Sequence, residues 1–236
     1  MRVDTGIRGL DQMLNGGLLP GKVILVSGPA GTGKTTFAMH FVFAGTKKGE
    51  HGLFITLEQN KKKMTEDMLS VGMDVKGNRK LTIVGGSMAD IMRFQKKVKA
   101  KPQDFLDEIE EIVKKNNVKR VVIDSSNLFL MLFKDDEERR NALLSLTEML
   151  SCLGCTAVLT SEVKENTKDL SWYGFEEFVV DGVITLTNDV SYDKYYKNAI
   201  AVRKMRGTAH DKSVVEYKIT DKGVIVFPES AIKRRM

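Results

Sequence analysis

The most specific pattern in this sequence is the stretch Gly28-Pro29-Ala30-Gly31-Thr32-Gly33-Lys34-Thr35. It follows a β-branched apolar run at 22–27 and precedes apolar residues at helical spacing over 36–48. Its spacing is G-x-x-x-x-G-K-[ST], and a position between a strand and a helix is the context in which that motif forms a P-loop. The stretch therefore predicts a phosphate-binding turn between a buried strand and a helix.

The residue types in this turn suit nucleotide phosphates. Glycines let backbone N–H groups turn toward phosphate oxygens, and the following helix directs its positive N-terminus at the same point. The Lys34 ammonium supplies a point charge for the β- and γ-phosphates, and the Thr35 hydroxyl is a magnesium ligand. We therefore expect ATP or ADP with Mg²⁺ as cofactors. The predicted nucleotide-binding residues of this segment are Gly28, Pro29, Ala30, Gly31, Thr32, Gly33, Lys34, Thr35 and Thr36.

Two carboxylates follow predicted strands further along the chain. Asp124 ends the apolar run 118–124, and Glu58 follows the run 52–57. In open α/β sheets, ligands bind beyond the carboxyl ends of the strands. Asp124 is therefore predicted to hold magnesium through a water, and Glu58 to orient or deprotonate the attacking water. The alternatives are a loop-capping aspartate and a surface glutamate.

Strands and helices alternate over the first two thirds of the chain. The expected strands are 22–27, 52–57, 81–84, 118–124 and 156–161, and the expected helices are 36–48, 63–71, 105–116 and 136–153. After residue 172 the pattern predicts only strands, at 182–187, 197–204, 213–219 and 224–227. The expected fold is one α/β domain over residues 1–236, with a mainly parallel twisted sheet flanked by helices and an antiparallel C-terminal β extension.

Composition limits the function classes only loosely. The net charge is +6, which permits nucleic-acid partners, but the excess lies in runs at 61–63, 96–101 and 233–235 that are typical of solvated faces and a tail. No apolar run approaches the ~20 residues that span a bilayer, and the N-terminus lacks the apolar segment of a secretion signal. We therefore expect a cytoplasmic protein without a membrane partner.

The least regular segment and the cysteines give weaker indications. Residues 85–103 are rich in Lys and Met, and we interpret them as an exposed insertion or a mobile helix-loop. Cys152 and Cys155 form a C-x-x-C pair without a second half-site, so buried thiols are favoured over a metal or redox role.

The motifs, in this order, resemble the RecA superfamily and more closely the KaiC-like ATPases, including small single-domain archaeal members. The fold implied is a RecA-like P-loop NTPase core. The segment Lys204-Met205-Arg206-Gly207-Thr208-Ala209-His210 is the part that selects this family among P-loop proteins. The resemblance covers nearly the whole chain and thins between 85 and 103; the other similar segments are 5–11, 16–21, 139–162, 174–181 and 220–223.

The resemblance implies a homo-oligomer, a hexameric ring with ATP at each subunit interface. Lys204 and Arg206 would reach the neighbour's γ-phosphate in an arginine-finger role. Ser70 would contact the base in its own subunit. The remaining residues carried over would line the neighbour's nucleotide; they are Thr208, His210, Thr220 and Asp221. On charge pattern alone, this region would be a basic β-hairpin with a solvated face.

Two departures from the family pattern affect the expected activity. The family often has two glutamates after the second strand, where this chain has Glu58 and Gln59, so hydrolysis is still expected. The KaiC-like family includes a circadian clock protein with domains that phosphorylate themselves. Those domains carry hydroxyl residues where this chain has Glu176 and Glu177, so autokinase activity is not expected.

Three functions remain open on the sequence. The favoured one is a Mg-dependent P-loop ATPase that acts as a nucleotide-dependent oligomeric switch and signals to a protein partner. A RecA/Rad-type recombination or repair ATPase is suggested by the basic residues near Lys96, although only Phe94 is interleaved as a stacking aromatic. A non-catalytic nucleotide-binding scaffold is suggested by Gln59.

Overall fold

The structure is a computed structural model that describes residues 2–87, 89, 92–93, 96, 103–165, 167–190 and 196–231. Most of the 85–103 segment, including Phe94, and the basic run 233–235 lie outside the described residues. The expectation of an exposed or mobile insertion therefore stays a prediction.

Within the continuous stretches of described residues there are nine strands and seven helices. The strands are β1 Val23–Gly28, β2 His51–Thr56, β3 Leu81–Gly85, β4 Val118–Asp124, β5 Thr156–Glu162, β6 Gly182–Val190, β7 Tyr196–Met205, β8 Val214–Thr220 and β9 Gly223–Ala231. The helices are α1 Leu10–Met13, α2 Lys34–Lys47, α3 Lys61–Ser70, α4 Gln103–Asn116, α5 Ser126–Leu130, α6 Asp136–Cys152 and α7 Glu176–Val179.

All nine strands join one sheet in the order β3-β2-β4-β5-β1-β6-β7-β8-β9. The pairs from β3 to β6 are parallel, and those from β6 to β9 are antiparallel. Strand β1 is buried at every position, as expected for a parallel strand covered on both faces. The expected α/β fold with its antiparallel extension is confirmed.

Two apolar cores cover the two faces of the sheet. One contains α1, α2 and the inward side chains of β8 and β9, and the other contains α4, α5 and α6. Helix α4 shows the pattern that produces this packing, because it buries Phe105, Leu106, Ile109 and Val113 on one side. Among the described residues, none of the helices has the length and apolarity needed to cross a membrane.

Element boundaries differ from the sequence-based expectation in three ways. Helix α2 begins at Lys34 rather than at residue 36, because Gly33 in a left-handed conformation (φ 78°) precedes its first turn. Strands β6 and β9 are longer than expected, and β9 tolerates Pro228 because it is an edge strand. The short helices α1, α5 and α7 carry too few residues to show a periodic pattern.

The strand register defines two ends of the sheet. Gly28 pairs with Glu162, and Thr56 pairs with Asp124, so the carboxyl ends of β1, β2, β4 and β5 meet at what we call the P-loop edge. Strand β7 runs the other way, and Met205 pairs with Gly182 at the start of β6. We call that end of the sheet the opposite edge. Both names refer to the ends of the strands and not to the outermost strands β3 and β9.

Candidate functional site

Two glycines of the turn between β1 and α2 leave no room for a side chain. Gly33 has φ 78°, and a Cβ there would lie 2.3 Å from Ile219 Cδ1. At Gly28 a Cβ would lie 2.3 Å from the carbonyl oxygen of Leu186. Strands β6 and β8 therefore press against the turn from behind and leave its other side for a ligand.

Lys34 lies in the first turn of α2 and is buried. Its ammonium donates a hydrogen bond to the Pro29 carbonyl at 2.9 Å and lies 3.9 Å from Glu162 Oε1. Burial lowers the pKa of Lys34, while the charges of Glu162, Glu58 and Asp124 act to raise it. The result is a poorly hydrated cation that can exchange a neutral carbonyl for a charged phosphate oxygen.

Asp124 ends β4 and is almost completely buried. One carboxylate oxygen accepts from the Thr35 hydroxyl at 2.9 Å, and the other accepts from the Thr160 hydroxyl at 2.5 Å. Burial raises the pKa of Asp124 to about 6, and the nearby charge of Glu58 acts in the same direction. A carboxylate and a hydroxyl oxygen side by side make a donor set that suits a hard divalent cation.

Glu58 follows β2 and is exposed to solvent. Its Oε1 accepts a hydrogen bond from the hydroxyl of Ser125, the residue directly after Asp124. The glutamate is therefore fixed beside Asp124 and still open to water. The side-chain amide of Gln59 donates to Asp67 of α3, so this side chain anchors that helix.

Thr220 and Asp221 directly follow Ile219 of β8, which packs against Gly33 of the P-loop in the same chain. Ser70 ends α3, and the carbonyl oxygen of Asp221 lies 2.5 Å from where a Cβ at Gly72 would be. The resemblance implied that Thr220 and Asp221 line the neighbour's nucleotide, and this stays a prediction; within the single chain, their turn lies at the P-loop edge. The cause is the antiparallel register of β7 and β8, which returns the chain to that edge.

Lys204 and Arg206 lie at the opposite edge. The backbone N–H of Arg206 donates to the Asp181 carbonyl, and the Asp181 N–H donates to the Val23 carbonyl at the start of β1. Five residues of strand separate that level from Gly28, a distance of about 16 Å at 3.3 Å per residue. These two side chains therefore cannot act on the P-loop of their own chain.

Both side chains contact main-chain carbonyls of α7 or of Val180 directly after it. The Lys204 ammonium donates to the carbonyls of Glu177 and Val180, each at 2.6 Å. The Arg206 guanidinium is exposed and donates to the carbonyls of Phe178 at 2.9 Å and Val179 at 3.3 Å. The lysine has the shorter bonds, so the arginine is the side chain more easily redirected to another molecule.

Thr208 and His210 follow in the loop after β7. The Thr208 hydroxyl accepts a hydrogen bond from Arg2 at 2.6 Å. Neither imidazole nitrogen of His210 has a hydrogen-bond partner in the part of the chain that the structure describes. The backbone N–H of Asp211 donates to the Met13 carbonyl, which ties this loop to α1.

Glu176 and Cys155 are buried, whereas Cys152 is exposed. Glu176 is buried, and its carboxylate accepts from the Ser171 hydroxyl and from the backbone N–H groups of Tyr173 and Phe175. Cys155 is buried, and burial raises its thiol pKa to about 11, which disfavours the reactive thiolate. The expectation that both thiols are buried is wrong for Cys152, which is exposed on the last turn of α6.

The sequence reasoning missed four side chains that contact the site. Thr160 and Glu162 come from β5, which lies between β1 and β4, and a polar run ending a buried strand could have indicated them. Ser125 directly follows Asp124 and could have been found in the same way. Tyr217, whose hydroxyl bonds to the P-loop at Thr32, gives no sequence signal because it lies 185 residues away.

A glycine-rich turn after β1, a carboxylate at the end of β4, and β5 between these two strands define a RecA-like P-loop protein. A family model described as the KaiC ATPase matches residues 3–231, so the chain belongs to that family.

Individual relatives agree with this assignment. A UPF0273 protein of Pyrococcus horikoshii is 34% identical over 99% of this chain and 96% of its own. The circadian clock protein KaiC3 of Synechocystis is 33% identical over 98% of this chain, which spans only 46% of the clock protein. The solved structure of a KaiC-like protein from Pyrococcus horikoshii is similar with a TM-score of 0.83 and 34% identity, covering 97% of this chain and 99% of that one.

Proposed function

We propose that this chain binds and hydrolyses ATP with Mg²⁺ and acts as a nucleotide-dependent oligomeric switch whose active site is shared between subunits. The observation that carries the proposal is the carboxylate pair at the P-loop edge. Asp124 accepts from Thr35 of the P-loop, and Ser125 next to it holds Glu58 in an exposed position. Membership of the KaiC ATPase family supports nucleotide binding.

The fit of magnesium follows from the donor set. Thr35 and Asp124 offer only oxygen atoms, which Mg²⁺ prefers, together with water and phosphate oxygens. Because burial raises the pKa of Asp124 to about 6, a nearby cation would favour its charged form. When bound, the cation would neutralise charge on the phosphate oxygens.

The remaining site residues take roles that their positions allow. Residues 28–36 would hold the phosphates, and Lys34 would exchange the Pro29 carbonyl for a β- or γ-phosphate oxygen. Glu58 would orient the attacking water and accept its proton. Ser70, Thr220 and Asp221 would line the nucleotide bound by their own subunit, on the side away from the phosphates.

The shared site rests on the separation of the two edges. Lys204, Arg206, Thr208 and His210 are at the opposite edge and could serve only the nucleotide of another copy. A head-to-tail contact would place the opposite edge of one subunit against the P-loop edge of the next, and such contacts form a ring when the rotation between subunits closes. The resemblance to KaiC-like proteins favours a hexamer. Because the described strands form one sheet, we treat residues 1–236 as one domain.

The two alternative functions are less well supported. The recombination alternative depended on the net positive charge and on the basic residues near Lys96; residues 97–101 lie outside the described residues, so this alternative stays a prediction. The scaffold alternative depended on Gln59, which binds Asp67 while Glu58 keeps the position next to Asp124. The exposed glutamate beside Asp124 favours hydrolysis over a scaffold without turnover.

The experiment is phosphate release from Mg-ATP by the wild type and by the variant Glu58→Gln, with nucleotide affinity measured in parallel. Loss of a positioned base should lower kcat by roughly 100-fold or more while the Kd for Mg-ATP changes little. Glu66→Gln, an exposed position on α3, is the matched control and should keep wild-type turnover. Binding without turnover in the wild type would favour the scaffold, and equal turnover in Glu58→Gln would exclude Glu58 as the base.

A further inference from the structure

Strand β8 supports the P-loop from the side opposite the expected phosphates. Tyr217 is 1% exposed, and its hydroxyl donates a hydrogen bond to the Thr32 carbonyl at 2.6 Å. Two residues further along the same face of β8, Ile219 packs against Gly33 so closely that no Cβ would fit there. Consecutive P-loop residues thus rest on alternate side chains of one strand.

The hydroxyl contact fixes the orientation of one peptide plane. In a trans peptide the carbonyl of one residue and the N–H of the next point in opposite directions. Holding the Thr32 carbonyl toward Tyr217 therefore directs the Gly33 N–H away from β8, to the open side of the turn. Inward-pointing N–H groups are what allow such a turn to bind phosphate. Burial raises the pKa of Tyr217 above its ordinary value, so the hydroxyl remains a donor at neutral and mildly alkaline pH.

The strand that carries Tyr217 is itself anchored. The backbone N–H of Val224, in β9, donates to His40 Nε2 of α2 at 2.9 Å, and Gly223 packs directly under that imidazole. The β8–β9 hairpin is therefore joined to the helix that begins in the P-loop. A group on this hairpin holds the turn from a rigid support, so less conformational freedom is lost when a ligand binds.

We propose that Tyr217 is a positioning residue for the nucleotide phosphates, which it serves by holding the Thr32 carbonyl and thereby pre-organising the P-loop. This inference rests on the proposed nucleotide binding and adds a residue of the antiparallel extension to that site. Tyr217 is buried and would act only through the backbone of Thr32.

The test is the variant Tyr217→Phe, which removes only the hydroxyl, with Tyr173→Phe as the matched control. Tyr173 packs on Phe175 near α7 and should be neutral toward nucleotide. We expect the Kd of Tyr217→Phe for Mg-ATP and Mg-ADP to rise roughly five- to twentyfold, because an unpaired carbonyl lets the turn relax. Affinity for adenosine, which has no phosphate, should be unchanged.

The outcomes separate this inference from the proposed function. If the wild type does not bind Mg-ATP, the proposed function fails, and this inference fails with it. If the wild type binds and Tyr217→Phe binds equally well, or loses only thermal stability without nucleotide, the inference alone is overturned. Should the variant fail to fold, hydrogen exchange of the Gly33 N–H in the wild type is the second measurement: this amide should exchange freely without nucleotide and be protected by Mg-ADP but not by adenosine. Protection in the absence of nucleotide, or none with Mg-ADP, would overturn the inference.

Discussion

At the scale of single residues, His40 connects the P-loop helix to two distant parts of the chain. The imidazole accepts the Val224 N–H and bonds to the backbone of Gly6. Burial lowers its pKa from 6.5 to about 4, with the Gly6 bond acting in the other direction. The folded state therefore requires the neutral imidazole, and protonation favours unfolding.

This depressed pKa predicts a stability that falls with acidification. Between pH 6.5 and 4 the unfolded chain binds a proton that the folded chain excludes, so the free energy of unfolding increases with pH in that window and levels off above it. The titration of His40 should make the free energy of unfolding at pH 5 about 2 kcal/mol lower than at pH 8. Urea unfolding across this range measures the effect. In His40→Asn, which keeps an acceptor for Val224 but does not titrate, the difference between the two pH values should shrink by that amount; an unchanged profile would contradict the assignment.

At the scale of secondary structure elements, the sequence predicted the features that a short stretch of residues determines. The P-loop motif identified β1, the turn and α2, and the acids ending apolar runs identified Glu58 and Asp124. Strand register depends on pairing between distant parts of the chain, and a local sequence pattern does not determine it. The sequence therefore could not show that Thr220 and Asp221 return to the P-loop edge. The contact of Tyr217 with Thr32 depends on the packing of the whole extension and was equally hidden.

The two cations that cap α7 should differ in their effect on stability. Lys204 is half-buried and pairs two carbonyls at 2.6 Å, whereas Arg206 is exposed and its bonds are longer. Lys204→Met leaves those carbonyls without their partner and should lower the free energy of unfolding by about 1 kcal/mol. Arg206→Ala should cost roughly 0.5 kcal/mol or less. Urea unfolding midpoints of variants with the same m-value measure both losses. Equal losses would show that the arginine contributes as much to stability as the lysine.

At the scale of the whole molecule, the sheet separates the proposed site into two halves. The P-loop edge carries Lys34, Glu58 and Asp124, and the opposite edge carries Arg206 at the level of the first residue of β1. If both halves are needed for hydrolysis, one chain supplies each half to a different nucleotide. Activity then depends on assembly, which is the property that lets nucleotide state control a partner-binding surface.

This separation predicts that two inactive variants restore each other. Arg206→Ala should bind Mg-ATP and hydrolyse it poorly, as Glu58→Gln should. When the two are unfolded, mixed in equal amounts and refolded together, about a quarter of the interfaces should pair an intact Glu58 with an intact Arg206 from the next subunit. Phosphate release should recover to that fraction of the wild-type rate. Mixing two preparations of Glu58→Gln is the control. The absence of recovery, in mixtures shown to contain both variants in one assembly, would place the whole active site within one chain and leave Arg206 with only its α7 contacts.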